Sequence, residues 1–429
     1  MTQAGYEATR SAIEAVWRIE SPRLIAGLAR ITGDVGAAEE LAQDALVIAL
    51  EQWPSDGVPD GPGAWLMATA RHRAVDLVRR RAVYQRKLQE IGRDAESRAE
   101  HHGEPDVDAM DDQIGDDLLR LIFLACHPVL SPEARAALTL RLLCGLTAAE
   151  IARAFLVPEP TVAQRITRAK RTLAARRVRF EMPPRGELPD RLASVLEVIY
   201  LVFNEGYAAT AGTDWMRPSL CAEAMRLGRI LAGLMTREAE VHGLVALMEL
   251  QASRTGARVG PAGEPVLLTD QDRGRWDRLL IRHGLRALDQ ARSLGGPPGP
   301  YEVQAEIAAC HAQAHSVRAT DWERIAALYV VLGYLRPSPV VELNRAVAVG
   351  MAHGPARGLE IADRLAGQPA LASYPHLPAV RGDLLARLGR AAEARESFVL
   401  AAGLTANERE KALFQARADA CQDPASGPA

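Results

Sequence analysis

The sequence predicts an all-α protein built from several domains. Its 429 residues exceed what one hydrophobic core normally organises, so two or three domains are expected. Ala, Leu, Arg and Glu dominate, aromatic residues contribute only 5%, and no long run rich in Val, Ile or Thr occurs. Such a composition favours helices over strands. We expect a helical bundle at 1–86, a helix-turn-helix domain at 116–180 and a repeat-like helical domain at 186–429.

Cysteine use and hydropathy indicate the compartment. The five cysteines have an odd count and irregular spacing, which does not suit a disulfide framework and fits a reducing environment. No apolar leader core is visible near the start, and no stretch approaches eighteen consecutive apolar residues. We therefore expect a cytoplasmic protein with no membrane partner.

Charge is segregated along the chain, although the net charge is only -3. Ten acidic residues and one base lie between Asp94 and Asp117, whereas seven bases and no acid lie between Thr161 and Phe180. Local asymmetry of this kind is more informative than the total charge. Because residues 87–115 are also poor in apolar side chains, we expect them to form a flexible acidic linker.

Two helices are predicted in the N-terminal bundle. Asp34 can cap a helix over Val35–Trp53 that ends at Pro54. A loop rich in Asp, Pro and Gly follows at 55–63, and a second helix begins at Ala64. The apolar stripe of this second helix predicts a buried face formed by Leu66, Ala70, Ala74, Leu77 and Val78.

One side of this second helix carries an aromatic ring, short polar groups and arginines, which suit stacking on and hydrogen bonding to unpaired bases. These residues are Trp65, Thr69, His72, Asp76, Arg79 and Arg80. On this helix alone, the better interpretation is that Trp65 belongs to the core and the arginines are merely solvated.

The most specific motif is a helix-turn-helix over 146–173. Thr147 and Glu150 form a capping box at the start of a short helix, and Pro158 and Pro160 end that helix and open the next. The second helix places its apolar stripe at Val162, Ile166, Ala169 and Leu173. Its other face carries side chains that can reach base edges and phosphates, namely Thr161, Ala163, Gln164, Arg165, Thr167, Arg168 and Arg171. The alternative is an ordinary helical hairpin with a solvated basic face.

A weak repeat is present near the end of the chain. Gly382, Ala394, Phe398 and Ala401 occupy positions where tetratricopeptide repeats place small and aromatic packing residues. Ala346, Gly358 and Ala362 follow a similar spacing one repeat earlier, and Ala406 stands where that family has a proline. The pattern indicates a helical array.

Together these segments resemble a known family. Residues 37–46 (AAEELAQDAL) look like sigma factor region 2.2, residues 64–76 (AWLMATARHRAVD) resemble regions 2.3–2.4, and residues 130–171 are similar to region 4. Two such domains with no third domain between them resemble an extracytoplasmic-function (ECF) sigma factor of the sigma-70 family. Residues 180–183, 200–207, 270–273 and 341–347 resemble the long helical extension (DUF6596, tetratricopeptide-like) of one ECF group.

The resemblance implies a non-enzymatic partner of core RNA polymerase and promoter DNA, without a cofactor. Polymerase contacts would come from Glu40, Gln43, Asp44 and Val47. The six residues on the helix from Ala64 would read the melted -10 strand. The family often has Asn at the position of His72, a departure that bears on which base is preferred. Ala163, Gln164 and Thr167 match the -35 base readers, with Arg165 and Arg168 near the backbone.

Two rival functions remain open at this point. Cys310, His311 and His315 could place two imidazoles one helical turn apart in a metal-dependent enzyme, although such residues are more often packed in a core. Alternatively, the chain is a regulator that binds duplex DNA without polymerase. Asn204–Tyr207 is either a ligand or partner site or, in the better interpretation, a tight interhelical packing motif. The extension either gates activity by folding against the sigma domains or binds a regulatory protein.

Overall fold

The computed structural model describes residues 3–91, 110–209, 211–212, 215–261 and 263–421. Within these ranges the chain forms eighteen α-helices and one pair of two-residue strands, which confirms the all-α prediction. The helices group into two compact units, one reaching Ile199 and the other starting at Tyr200. None of the described helices is long and apolar enough to cross a membrane.

The first unit contains the two predicted N-terminal domains. Its helices are α1 (Gln3–Thr32), α2 (Val35–Asp56), α3 (Pro62–Ile91), α4 (Met110–Ala125), α5 (Pro132–Leu143), α6 (Ala148–Phe155), α7 (Glu159–Ala175) and α8 (Leu188–Tyr207). We call α1–α3 the N-terminal bundle and α4–α7 the helix-turn-helix domain. The helices enter both ends of the predicted 87–115 linker, and its middle, residues 92–109, lies outside the described residues.

Helix α2 begins as predicted and ends later than predicted. The Asp34 carboxylate accepts hydrogen bonds from the amides of Gly36 and Ala37, which confirms the N-cap. Pro54 lies inside the helix and does not stop it. The buried Trp53 ring anchors the last turn, and Gly57 ends the helix at a φ of 88° with its amide bonded to the Trp53 carbonyl.

Helix α3 starts two residues before the predicted Ala64, because Pro62 occupies its first position, where a proline costs no hydrogen bond. Leu66, Ala70 and Ala74 are buried, as the apolar stripe predicts. The prediction is wrong at Val78, which is 37% exposed.

The helix-turn-helix domain recruits part of α8. Ser194 Oγ donates to the Cys126 carbonyl at 2.7 Å, and Arg191 donates to the Phe123 carbonyl at 3.0 Å. Arg135 of α5 donates to Ser194 and pairs with Glu197 at 3.3 Å. These bonds satisfy carbonyls at the end of α4 that would otherwise lack partners. The first turns of α8 therefore pack on this domain, beyond its predicted end at 180.

The second unit is a succession of helices. They are the remainder of α8, α9 (Pro218–Leu234), α10 (Ala239–Ala252), α11 (Arg278–Ser293), α12 (Pro300–Gln313), α13 (Trp322–Leu335), α14 (Pro339–Ala352), α15 (Pro355–Leu365), α16 (His376–Arg387), α17 (Ala391–Leu404) and α18 (Glu408–Ala420). Strands β1 (Ala211–Gly212) and β2 (Ala406–Asn407) pair in parallel. Ala406, the residue in place of the repeat proline, therefore belongs to this pairing.

The Asn204–Tyr207 segment is a packing motif. A Cβ atom on Gly206 would lie 2.7 Å from the Cys221 nitrogen and 2.9 Å from the Arg217 carbonyl oxygen, so only glycine allows α8 and α9 to approach this closely. Beside it, Glu205 and Arg217 form a largely buried ion pair. The guanidinium of Arg258 lies 3.6 Å from the centre of the Tyr207 ring. These contacts support the packing interpretation of the segment.

The repeat residues pack as their spacing predicts. The Phe398 ring lies against Gly382, where a Cβ atom would sit 2.9 Å from the ring. A Cβ atom on Gly358 would meet the Ala346 carbonyl at 2.6 Å, so α14 and α15 also touch through a small residue. Successive helices from α14 to α18 pack on one another around these contacts.

Candidate nucleic-acid interface

Capping interactions define the ends of the helices in the helix-turn-helix. The Thr147 hydroxyl accepts from the Glu150 amide at 3.1 Å, and the Glu150 carboxylate accepts from the Thr147 amide at 2.8 Å, so the predicted capping box is confirmed. Hydrogen bonding to Thr147 holds the pKa of Glu150 below its usual range against the opposing effect of burial. Helix α6 ends at Leu156, which takes a left-handed φ of 50°, and α7 follows at Glu159.

Helix α7 buries one face and exposes the other. Val162, Ile166, Ala169 and Leu173 are buried, which confirms the predicted stripe. The predicted reading residues lie opposite. Of these, Ala163, Gln164, Thr167, Arg168 and Arg171 are exposed, and Thr161 and Arg165 are half-buried. Small, amide and guanidinium side chains on one open face match the donors and acceptors of a major groove.

On α3 the predicted residues divide into an inner and an outer group. The Trp65 ring is half-buried and packs edge-on against Trp53, with ring centres 5.3 Å apart. The Thr69 hydroxyl donates to the Trp65 carbonyl at 2.9 Å. Farther along, four charged or titratable side chains are exposed: His72, Asp76, Arg79 and Arg80. Trp65 therefore serves the core in part, and the outer group is open to solvent.

The predicted polymerase-binding residues form a stripe on α2. Glu40, Asp44 and Val47 are exposed at helical spacing, so a partner can reach all three. Asp44 pairs with Arg73 of α3 at 3.0 Å. Gln43 is half-buried because its amide donates to Glu39 at 2.7 Å.

Glu39 is a polar residue that sequence reasoning missed. Its carboxylate is buried and accepts from Arg141 Nε at 2.6 Å, and it also pairs with Lys170 of α7. The sequence does carry a signal, because Glu39 stands beside Ala38 and Ala42 on the apolar stripe of α2. A carboxylate at a core position of a helix indicates a buried charged partner.

A cavity of roughly 500 Å³ opens where α1 and α3 face the start of α4. Three arginines line it, Arg23, Arg30 and Arg71, together with the carboxyl of Asp117. Burial raises the pKa of Asp117 even though Arg30 and Arg120 oppose that change. The carboxylates of Glu20 and Asp117 offset two of the three positive charges, so the lining is only weakly positive.

The predicted imidazole pair does not form. His311 lies on α12 and is buried, whereas His315 lies beyond the end of that helix and is exposed, so the two are not one helical turn apart. Burial lowers the pKa of His311 to about 3, and nearby Arg254 and Arg273 add to the effect. Arg273 donates to the carbonyls of His311 and Ala314, which end α12. Among the described residues, no three metal-ligating side chains cluster.

Family models match three parts of the chain. Residues 17–83 match sigma-70 region 2 and residues 120–173 match sigma-70 region 4. Residues 191–292 match a family of unknown function, DUF6596. A duplex-DNA regulator that works without polymerase would not need the region 2 match, which therefore weighs against that alternative.

Three relatives are similar to this chain, and two of them are ECF sigma factors. An uncharacterized protein of Rhizobium meliloti is 42% identical over 403 residues, which cover 93% of each chain. The ECF RNA polymerase sigma factor SigK of Mycobacterium ulcerans is 30% identical over 34% of this chain and 75% of its own. The probable ECF RNA polymerase sigma factor SigI of Mycobacterium tuberculosis is 27% identical over 40% of this chain and 58% of its own. No solved structure matches the chain.

Proposed function

Because the chain belongs to the ECF family of RNA polymerase sigma factors, which are transcription initiation factors, we propose that it binds core RNA polymerase and directs initiation at specific promoters. The observation that carries the proposal is the open face of α7. Five predicted reading residues are exposed there, while the opposite stripe is buried. A helix fixed in this way can enter a major groove without unfolding its domain.

Reading of the -35 element is assigned to α7. Ala163, Gln164 and Thr167 are short or carry an amide, so they can approach base edges. Arg168 and Arg171 extend from the same face and can hold phosphates. The half-buried Thr161 and Arg165 flank this surface.

Reading of the melted -10 strand is assigned to α3. Trp65 offers a ring edge held by Trp53, and His72 and Asp76 offer hydrogen-bonding groups farther along the exposed side. Thr69, Arg79 and Arg80 complete the set, with the arginines available to phosphates.

The remaining parts receive roles from their position in the chain. We assign core polymerase and -10 binding to 1–86, -35 binding to 116–180, and regulation to the extension at 186–429. The acidic segment at 87–115 is proposed to thread the polymerase channel in place of nucleic acid. The protein would act in the cytoplasm, where RNA polymerase works. The extension would modulate activity by contact with the sigma domains or by binding a regulatory protein.

Core polymerase binding can be tested with a matched pair of exposed valines. Val47 on α2 is 52% exposed and Val399 on α17 is 53% exposed. Val47→Arg puts a charge in the proposed polymerase contact and should weaken binding of the full chain to purified core polymerase at least tenfold. Val399→Arg should leave the dissociation constant unchanged.

The measurement is fluorescence anisotropy of the labelled full chain titrated with core polymerase, with circular dichroism as the check on folding. If the wild-type chain does not bind core polymerase, the proposed function is wrong. If both arginine variants bind as the wild type does, the assignment of the α2 stripe is wrong.

A further inference from the structure

A cluster of ion pairs joins the N-terminal bundle to the helix-turn-helix domain. We propose that Glu39 is the centre of an ionic latch that holds these two domains together while the protein is free of core polymerase and promoter DNA. The inference rests on the proposed function, because only a protein that reads two separated DNA elements has to open this contact.

The Glu39 carboxylate receives most of its partners from the other domain. Arg141 of α5 donates to it at 2.6 Å, and Lys170 of α7 pairs with it as well. The third donor is Gln43, one turn away on α2 itself, at 2.7 Å. Removing the helix-turn-helix domain would therefore strip Glu39 of both cationic partners.

Two further ion pairs cross the same boundary. Arg30 of α1 pairs with the buried Asp117 of α4 at 2.9 Å, and Arg18 of α1 pairs with Glu150 of α6 at 3.2 Å. The Arg18 side chain is exposed, so that pair adds little. The buried pairs matter more, because a buried charge that loses its partner inside the protein is strongly unfavourable.

Ionic contacts of this kind suit a contact that opens. The desolvation of buried charges offsets much of their mutual attraction, and the charges regain water when the domains separate. A charged contact therefore holds the two domains in a definite register, and its charges are solvated again once the domains separate. The net result is a boundary whose geometry is specific and whose release does not require unfolding.

The closed arrangement cannot read both promoter elements at once. Elements named -10 and -35 lie about 25 base pairs apart, which is roughly 85 Å along the duplex. Lys170 lies on α7 between Arg168 and Arg171, and it reaches α2, which packs on α3. Because a helix with its side chains is about 10–12 Å wide, α7 lies only a few helix widths from α3. The latch must release before both elements are occupied.

The latch leaves the other surfaces open. The stripe of Glu40, Asp44 and Val47 is exposed on α2 while Glu39 of the same helix is occupied. Core polymerase can therefore dock on α2 before the domains separate. The closed arrangement therefore does not block the proposed polymerase contact.

The test measures the distance between the two domains in the full chain. Spin labels are placed on cysteines introduced by Gln52→Cys on α2 and Ala174→Cys on α7, two exposed positions, with Cys421→Ser removing the half-buried native thiol. Pulsed electron–electron double resonance then gives the distribution of distances between the two spin labels. We expect one short-distance population in the otherwise unchanged chain. Glu39→Gln should raise the long-distance fraction at least fivefold.

Lys170→Met is the second variant, made from the other side of the contact, and it carries the test if Glu39→Gln does not fold. Glu39 then keeps Arg141 and Gln43 as partners. Glu342→Gln, which removes an ion pair with Arg345 inside α14, is the matched control and should leave the distribution unchanged. Mainly long distances in the unsubstituted chain, or unaltered distances in both latch variants, would overturn the proposal.

Core polymerase binding by the same labelled samples separates this proposal from the function that it rests on. Binding with unaltered distances in both variants would refute the latch and leave the sigma factor assignment standing. Opening in the variants without any binding to core polymerase would refute the assignment and leave the ionic contact standing as a contact between domains.

Discussion

At the scale of single residues, Gln164 and Arg171 share an exposed face of α7 and differ in what they can recognise. An amide side chain can bind a base edge through two hydrogen bonds, whereas a lone arginine at the end of the face can hold a phosphate of any sequence. Substitution of Gln164 and substitution of Arg171 should therefore have different effects on promoter recognition.

Replacing Gln164 should relax the choice of one -35 base. Gln164→Ala is expected to cost about 1–3 kcal/mol on the preferred promoter and little on a promoter changed at that base. Arg171→Ala is the matched comparison and should weaken all promoters alike. Run-off transcription from a set of single-base promoter variants measures both effects, and a sequence-selective loss with Arg171→Ala would reverse its role.

His311 illustrates a buried base that stays neutral. Burial lowers its pKa to about 3, whereas the unfolded chain takes up the proton near the ordinary value of 6.5. The contribution of His311 to the free energy of unfolding is therefore fully present above pH 6.5 and is lost as the pH falls below that value. The free energy of unfolding should drop by about 2 kcal/mol between pH 8 and pH 5 through this one group.

The change His311→Gln should remove that share of the pH dependence. Urea unfolding of the two proteins across this pH range measures it as a difference between variants. His315→Gln, at the exposed neighbour beyond α12, is the control and should leave the slope as it is. An equal slope for wild type and His311→Gln would contradict the account.

At the scale of elements, the packing of α8 against α9 depends on the absence of a side chain at Gly206. Gly206→Ala would bring a Cβ atom within 2.7 Å of backbone in α9, and backbone cannot move aside as a flexible side chain can. We expect a loss of about 1–3 kcal/mol in the free energy of unfolding. Gly233→Ala in α9 has nothing within 4 Å and should add up to about 1 kcal/mol. Urea unfolding curves compare the two, and a change of the same sign in both would count against the packing role.

The secondary-structure elements differ in how well the sequence predicts them. The capping box of Thr147 and Glu150 and the stripe of α7 are local patterns, and the structure confirms both. The end of α2 cannot be predicted from the local sequence, because the buried Trp53 side chain holds the last turn against the bundle and the helix continues past Pro54. The contact of α8 with α5 depends on Ser194 and Arg135, which lie 59 residues apart. Spacing rules reach one or two turns along a helix and give no information on such pairs.

At the scale of the whole molecule, the family resemblance predicts both the domains and the proposed reading surfaces, and the comparisons support the same two sigma regions. What the sequence could not supply is the contact between those domains. Glu39, Arg141 and Lys170 lie far apart in the chain and meet through packing of complete helices. A charged residue on an apolar stripe indicates that a charged partner exists but does not identify the partner residue.

The central claim is that one chain reads two elements of a promoter while bound to core polymerase. The most direct measurement is transcription in vitro from a genomic library with the full chain and purified core polymerase, followed by sequencing of the transcript starts. The account predicts starts that share an upstream pair of sequence elements at fixed separation, with Gln164→Ala altering only the distal element. Starts without any shared element, or no initiation from any template, would contradict it.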